Sequence, residues 1–284
     1  MSMKTEALAQ TVSTVAKFEY DLHNLLELMG KSDVKVMAPG SAYTIYKTNR
    51  TGGDVTITSP TQVAEAAEIT PAGIVTGIDQ IVELNYAKFR NLVGIESIGK
   101  YGYDIAVGGT TDELLGNVQS AVHSMITTGV FGDITPEATP AATFQAASAK
   151  AWSLIQTAYA NRRFTPVYFA APATVETYLA TADISLQTAF GMTYVANFLG
   201  LGTLIIDPTL EAGKVYATAK ENIDIVAADI SAIPNMDMQT DESGVLGVHI
   251  DAEYSNAAIE TVVYSGLAAF PVFADKAFIV NIGA

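Results

Sequence analysis

The residues able to do chemistry in this chain are few and scattered. His23, His123 and His249 fall in three separate segments, and none has the paired spacing that would hold a metal ion. His123 sits beside the apolar stripe of a helical segment, where a histidine is expected to pack or face solvent rather than catalyse. Gly94-Ile95-Glu96-Ser97-Ile98-Gly99 misses the pattern of a serine nucleophile elbow, and no histidine is placed to serve Ser97 as a base. Gly108-Gly109-Thr110-Thr111 could present free amides to an anion at a helix start, but it lacks the lysine of a phosphate loop, so helix capping is the expected role. Gly200-Leu201-Gly202 runs into a strand, whereas a dinucleotide fingerprint leaves one for a helix. Asp237, Asp241, Glu242, Asp251 and Glu253 form the densest acidic region, without calcium-loop spacing, and read as a solvated loop. No catalytic constellation emerges, and no cofactor or metal is expected.

Composition narrows the classes further. The 284 residues contain no cysteine, so no disulfide, thiolate metal site or thiol nucleophile is possible. Net charge is −15, which argues against a basic surface gripping nucleic acid. No apolar run is long enough to span a membrane, and the first residues lack a signal-peptide core, so a cytoplasmic site of synthesis is expected. Charged residues make up only 16% against 49% hydrophobic. Sparse charge marks interface cores, so much of the surface is expected to be covered by other subunits.

The elements that position these residues begin with an amphipathic helix over 5–29, where Leu8, Val12, Val15, Leu22, Leu25, Leu26 and Met29 recur and Gly30 supplies a stop. From 34 to 76 the chain turns strand-like. Ala42–Tyr46 and Asp54–Thr58 flank the turn formers 49–53, which predicts a long polar hairpin that is marginal unless it lies on something else. Residues 78–93 read as a strand running into a helical turn. The central segment TTDELLGNVQSAVHSMITTG predicts a helix over 110–129, with Leu114, Leu115, Val118, Ala121, Val122, Met125 and Ile126 as its stripe. Thr110 with Glu113 reads as a capping box, and Gly129 as a left-handed terminator. A Pro-containing linker follows, then a helix over 144–159 carrying Trp152, which is expected in the core. An apolar strand at 166–171, a helix opened by Pro172, strands at 203–206, 214–218 and 223–227, and terminal strands over 244–281 complete an α+β fold.

Several local patterns carry a family resemblance. PVYFAAPATVETYL, then FLGLGTLIIDPTLEAGKVYATAKENIDIVAADI, then ETVVYSGLAAFPVFADKAFIVNI resemble, in that order, the axial-domain start, the Leu-Gly and Gly-Lys strand run, and the closing strands of tailed-bacteriophage major capsid proteins with the HK97-like fold. The resemblance implies an N-terminal arm over 1–33, an extended loop over 34–76, and a peripheral domain over 77–141 with its spine helix. An axial domain over 142–242 and a return to the peripheral domain over 243–284 complete it. It implies hexamers and pentamers tiling an icosahedral virion shell around double-stranded DNA held weakly and without sequence preference. Portal and scaffolding or decoration proteins would be partners, and a membrane would not. Subunit contacts are expected on the extended loop, at Tyr43, Tyr46, Lys47, Arg50, Glu65 and Glu68. Scaffolding is absent, removed or supplied separately. Some members crosslink a lysine to an asparagine; Lys47 lies in the hairpin, but no motif marks a partner. Three other readings remain: an encapsulin-type nanocompartment shell, a soluble α/β enzyme with an unrecognised carboxylate site, and an extended adhesin or tail component.

Overall fold

The computed structural model describes residues 3–31, 34–38, 40–51, 73–84, 86–160, 163–180, 186–189, 192–233, 238–241 and 245–283. The chain divides into two units, a hairpin over 42–83 and the remainder.

Helix α1 (Met3–Leu28) turns Val15, Phe18, Leu22, Leu25 and Leu26 inward, and Met29, just after it, is buried too. Val12, expected on that stripe, is exposed. The buried stripe passes instead through Thr11 and Thr14, and the Thr14 hydroxyl donates to the Gln10 carbonyl at 2.9 Å, which lets a polar side chain occupy the face. Gly30 ends the helix at φ +72, where a side chain would be strained, and Lys31 N donates back to Leu26 O at 2.8 Å. Strand β1 (Lys35–Met37) follows.

The hairpin unit pairs β2 (Ala42–Thr51) with β3 (Gly73–Glu83), from Ala42 opposite Glu83 to Thr51 opposite Gly73, with an irregularity after Ile45. Asn49, Arg50 and Thr51 therefore continue a strand opposite Val75, Ile74 and Gly73 and do not form the expected turn. The expected second arm, 54–58, lies outside the described residues, as do Gly52 and Gly53. The β-branched and apolar run Ile74-Val75-Thr76 supplies a partner strand that local turn chemistry does not reveal.

Strand β4 (Ala87–Gly94) leads into the short helix α2 (Ile95–Tyr101). After Gly102 the chain makes a π-helical turn over Asp104–Gly108 and passes without a break into α3 (Gly109–Phe131). The capping box is thus overturned: Gly108 is already helical at φ −61, and the Thr110 hydroxyl donates to the Ala106 carbonyl at 2.9 Å. Gly129 does not terminate α3, which runs to Phe131. A Cβ on Gly129 would lie 2.0 Å from the Ala269 carbonyl oxygen, so this glycine is required by close approach of the helix to a strand. The stripe stands at Leu114, Leu115, Val118, Val122 and Ile126 and continues through buried Val130 and Phe131, while Ala121 and Met125 are half-buried.

Helix α4 (Phe144–Tyr159) starts at Thr143, whose side chain accepts from Ala146 N. Its buried face is Ala147, Ser148, Ala151, Ile155 and Tyr159; Trp152, at the edge of that face, is exposed, contrary to its expected core role. There follow β5 (Pro166–Ala170), α5 (Pro172–Leu179), β6 (Gln187–Ala189), β7 (Met192–Phe198), β8 (Gly202–Ile206), β9 (Lys214–Ala219), β10 (Ile223–Ala228) and β11 (Gln239–Thr240). The chain closes with β12 (Leu246–Glu253), β13 (Ala258–Ser265), β14 (Leu267–Pro271) and β15 (Phe278–Asn281).

Outside the hairpin these strands form three sheets, ordered β1-β10-β14, β11-β12-β13-β4 and β15-β9-β5-β8-β7-β6. The terminal strands are therefore shared out, and β15 joins β9 and β5 in the six-stranded sheet rather than β12 and β13. The six-stranded sheet is buried on both faces. Val167 and Phe169 of β5, Ile205 and Tyr216 belong to one core with α1 and α3, while Tyr168, Ala170, Leu204 and Val215 belong to a second with α4 and α5. Such a strand reads as a continuous apolar run, which is why PVYFA lacks alternation. Phe131 joins the helix end to this sheet, edge-on to Phe169 at 5.6 Å and to Tyr216 at 5.4 Å.

Candidate functional site

The carboxylates buried among the described residues are tied into the backbone around them. Asp207 and Asp241 are both buried. Asp207 Oδ1 accepts from the Thr209 amide at 2.8 Å and hydroxyl at 2.7 Å, and Asp241 Oδ1 accepts from Leu246 N at 2.8 Å. Asp207 closes the turn that follows it, and Asp241 is a buried anchor for Leu246 rather than part of a solvated acidic loop. Asp237 and Glu242 lie outside the described residues. Among the described residues no cluster of three His, Cys, Asp or Glu could hold a metal ion, and no helix is long and apolar enough to cross a membrane. Ser97 lies on the exposed side of α2. Gly108 to Thr111 lie inside a continuous helix, so their amides offer no anion site.

The residues expected at a subunit contact are brought together in part. Tyr43, Tyr46, Lys47 and Arg50 all lie on β2, opposite Val82, Ile78, Gly77 and Ile74 of β3. Tyr43 is half-buried. Glu65 and Glu68 lie outside the described residues. Among the described residues the ribbon has two strands, and a two-stranded ribbon has two outer edges whose N–H and C=O groups can pair with a further strand.

Electrostatics elsewhere fasten loops rather than poise reacting groups. Glu253 is held below the usual carboxylate range, first by hydrogen bonds from the Ser255 hydroxyl and amide and then by Arg90, which itself pairs with Glu260 across β4 and β13. Burial pushes the Tyr159 phenol up to about 12, helped by Glu221 and Asp275. Lys276 Nζ lies 4.7 Å above the Tyr159 ring and 4.1 Å above that of Phe273, pinning the turn between β14 and β15 onto α4. Tyr168, fully buried against Phe198 at 5.7 Å, is raised further still by burial alone.

No protein-family model and no curated protein sequence matches the chain. Solved structures do. A virus-like particle from Pyrococcus furiosus is 12% identical with a TM-score of 0.55, over 95% of this chain and 96% of its own. An encapsulin complex from Synechococcus elongatus is 11% identical at TM-score 0.51, over 87% and 84%. The capsid of cyanophage A-1(L) is 14% identical at TM-score 0.51, over 90% and 92%.

The chain has the HK97-like shell fold.

At this identity the likeness is one of architecture, and it runs through nearly the whole chain. Within the HK97-like fold, α3 is the long spine helix, and it packs along β14 of the three-stranded sheet, with Gly129 against Ala269. The sequence missed the chain's route into the spine helix. Gly102, at φ +85 two residues before the π-helical turn, was the available signal, because a glycine there permits the redirection that joins α2 to α3.

Proposed function

We propose that this chain is the structural subunit of an icosahedral shell, assembled from hexamers and pentamers, and that the shell is a tailed-phage virion enclosing double-stranded DNA. The observation that carries this reading is the HK97-like fold over nearly the full chain; every relative cited above is named as a particle, a capsid or an encapsulin complex. The sparse charge supports it, since a subunit tiled on all sides keeps little surface for water. The acidic balance suits a lumen that does not grip DNA tightly. The hairpin 42–83 is the extended loop, and Tyr43, Tyr46, Lys47 and Arg50 on β2, with Glu65 and Glu68, are its contacts to a neighbour. In this reading the chain is no enzyme and acts in the host cytoplasm and then in the virion, with portal and scaffolding or decoration proteins as partners.

A second reading is a nanocompartment shell of the encapsulin type. It is favoured by the likeness to the Synechococcus elongatus encapsulin complex, whose TM-score of 0.51 equals that of the cyanophage capsid. Negative-stain microscopy of the purified protein should show capsomers, tubes or shells. A monodisperse monomer at high concentration would overturn both readings. Particles from infected or producing cells should carry nuclease-protected DNA if the first reading holds, and none if the second does.

A further inference from the structure

We propose that the groove between the end of β4, α2 and the start of α3 is a contact surface for a second copy of this chain, a proposal that rests on the shell reading above. The groove encloses about 470 Å³, with Leu92, Tyr101 and Ile105 on its walls and Val93 and Ala106 beneath. Ile105 is 71% exposed, Tyr101 and Ile95 54% each, and Leu92 39%, all within fourteen residues of chain. Large apolar side chains grouped this closely in water mark an interaction surface. The π-helical turn explains the placement: in Asp104–Gly108 it turns Ala106 and Val107 into the core while Ile105 stands outward. Insertions of this kind recur at functional positions in helices.

The charges around the groove say what covers it. Glu96 and Lys100 border it, with Glu96 Oε2 beside Gly94 and Lys100 Nζ 5.0 Å over the Tyr101 ring; Asp104, next to Ile105, is also exposed, and none of the three forms an ion pair among the described residues. The rim therefore carries both signs around an apolar centre. Two copies related by a rotation axis would set Lys100 of each against Glu96 or Asp104 of the other, as self-complementary interfaces require. Nucleic acid does not fit, because Glu96 and Asp104 outnumber the single rim cation.

The chain has no cysteine, so Ile105→Cys introduces a unique thiol. In assembled particles that thiol should react with a maleimide about tenfold more slowly than in unassembled subunits, because labelling then waits on local opening. A short bis-maleimide should join two copies there. As a second measurement, Ile105→Glu should keep the wild-type circular dichroism, since the position is exposed, yet raise the concentration needed for assembly about tenfold. Particles in which the thiol of the Ile105→Cys variant labels as fast as in free subunits, or that form from Ile105→Glu as readily as from wild type, overturn this proposal and leave the shell reading standing. A wild-type chain that stays monomeric under all assembly conditions overturns both.

Discussion

Gly129 fixes how closely α3 can approach β14. A methyl group there would sit 2.0 Å from the Ala269 carbonyl oxygen, an overlap that only backbone movement relieves. Gly116, on the exposed side of the same helix, has nothing within 4 Å of where a Cβ would be. The same substitution should therefore have opposite effects. Gly116→Ala should stabilise by about 0.5–1 kcal/mol, because alanine loses less entropy in a helix. Gly129→Ala should destabilise by about 1–3 kcal/mol, with a fall in melting temperature of roughly 2–4 °C per kcal/mol. Equal melting temperatures for the two variants would mean the helix does not approach the strand this closely. Tyr159 gives a second residue-scale test. Its folded pKa of about 12 lies above the ordinary 10.0, so the folded chain holds the proton after the unfolded chain has lost it. Its contribution is present below pH 10.0 and is lost as pH rises towards about 12. Tyr159→Phe should flatten the fall of melting temperature with pH in that window, and an unchanged slope would remove Tyr159 from the account.

At the scale of elements, β2 and β3 form a two-stranded sheet of their own among the described residues. Two strands alone are marginal in water, since few contacts offset the entropy of ordering them. The proposed role gives it a neighbour to lie on. Trypsin should cut unassembled protein first at Lys47 or Arg50, both on β2. Assembled particles should resist at those bonds. Equal cleavage in both states would show that the ribbon makes no subunit contact. The ribbon differs in this respect from β5, every residue of which is buried between two cores and which should be among the last segments to exchange its amides.

For the whole molecule, a net charge of −15 and a 16% charged composition oppose each other. Like-charged subunits repel, while apolar contact surfaces attract. Salt shortens the reach of the repulsion from about 30 Å at 0.01 M to about 8 Å at 0.15 M and leaves apolar burial in place. The concentration at which particles form should therefore fall as ionic strength rises, measured by light scattering or sedimentation. Dissociation of particles by moderate salt would point instead to contacts dominated by ion pairs.

Helix α4, strand β5 and the start of α5 were legible in the sequence because their signals are local. Thr143 caps α4, the Ala and Ile spacing sets its face, PVYFA is apolar throughout, and Pro172 suits a first helical turn. The order of such elements was enough to suggest the shell fold. What the sequence could not decide was each feature whose meaning depends on what lies across from it. Gly129 looked like a terminator until Ala269 was opposite it. Thr110 looked like a cap until the preceding π-helical turn took its hydroxyl. Trp152 was assigned to the core by residue type and stands exposed, and Asp241 was assigned to solvent and is buried. The second arm of the hairpin at 73–83 depends on pairing across more than twenty residues. A glycine, a hydroxyl or a carboxylate serves several ends equally well in one dimension. Only the neighbour brought by folding, which fixes its burial and its hydrogen-bond partner, selects among them.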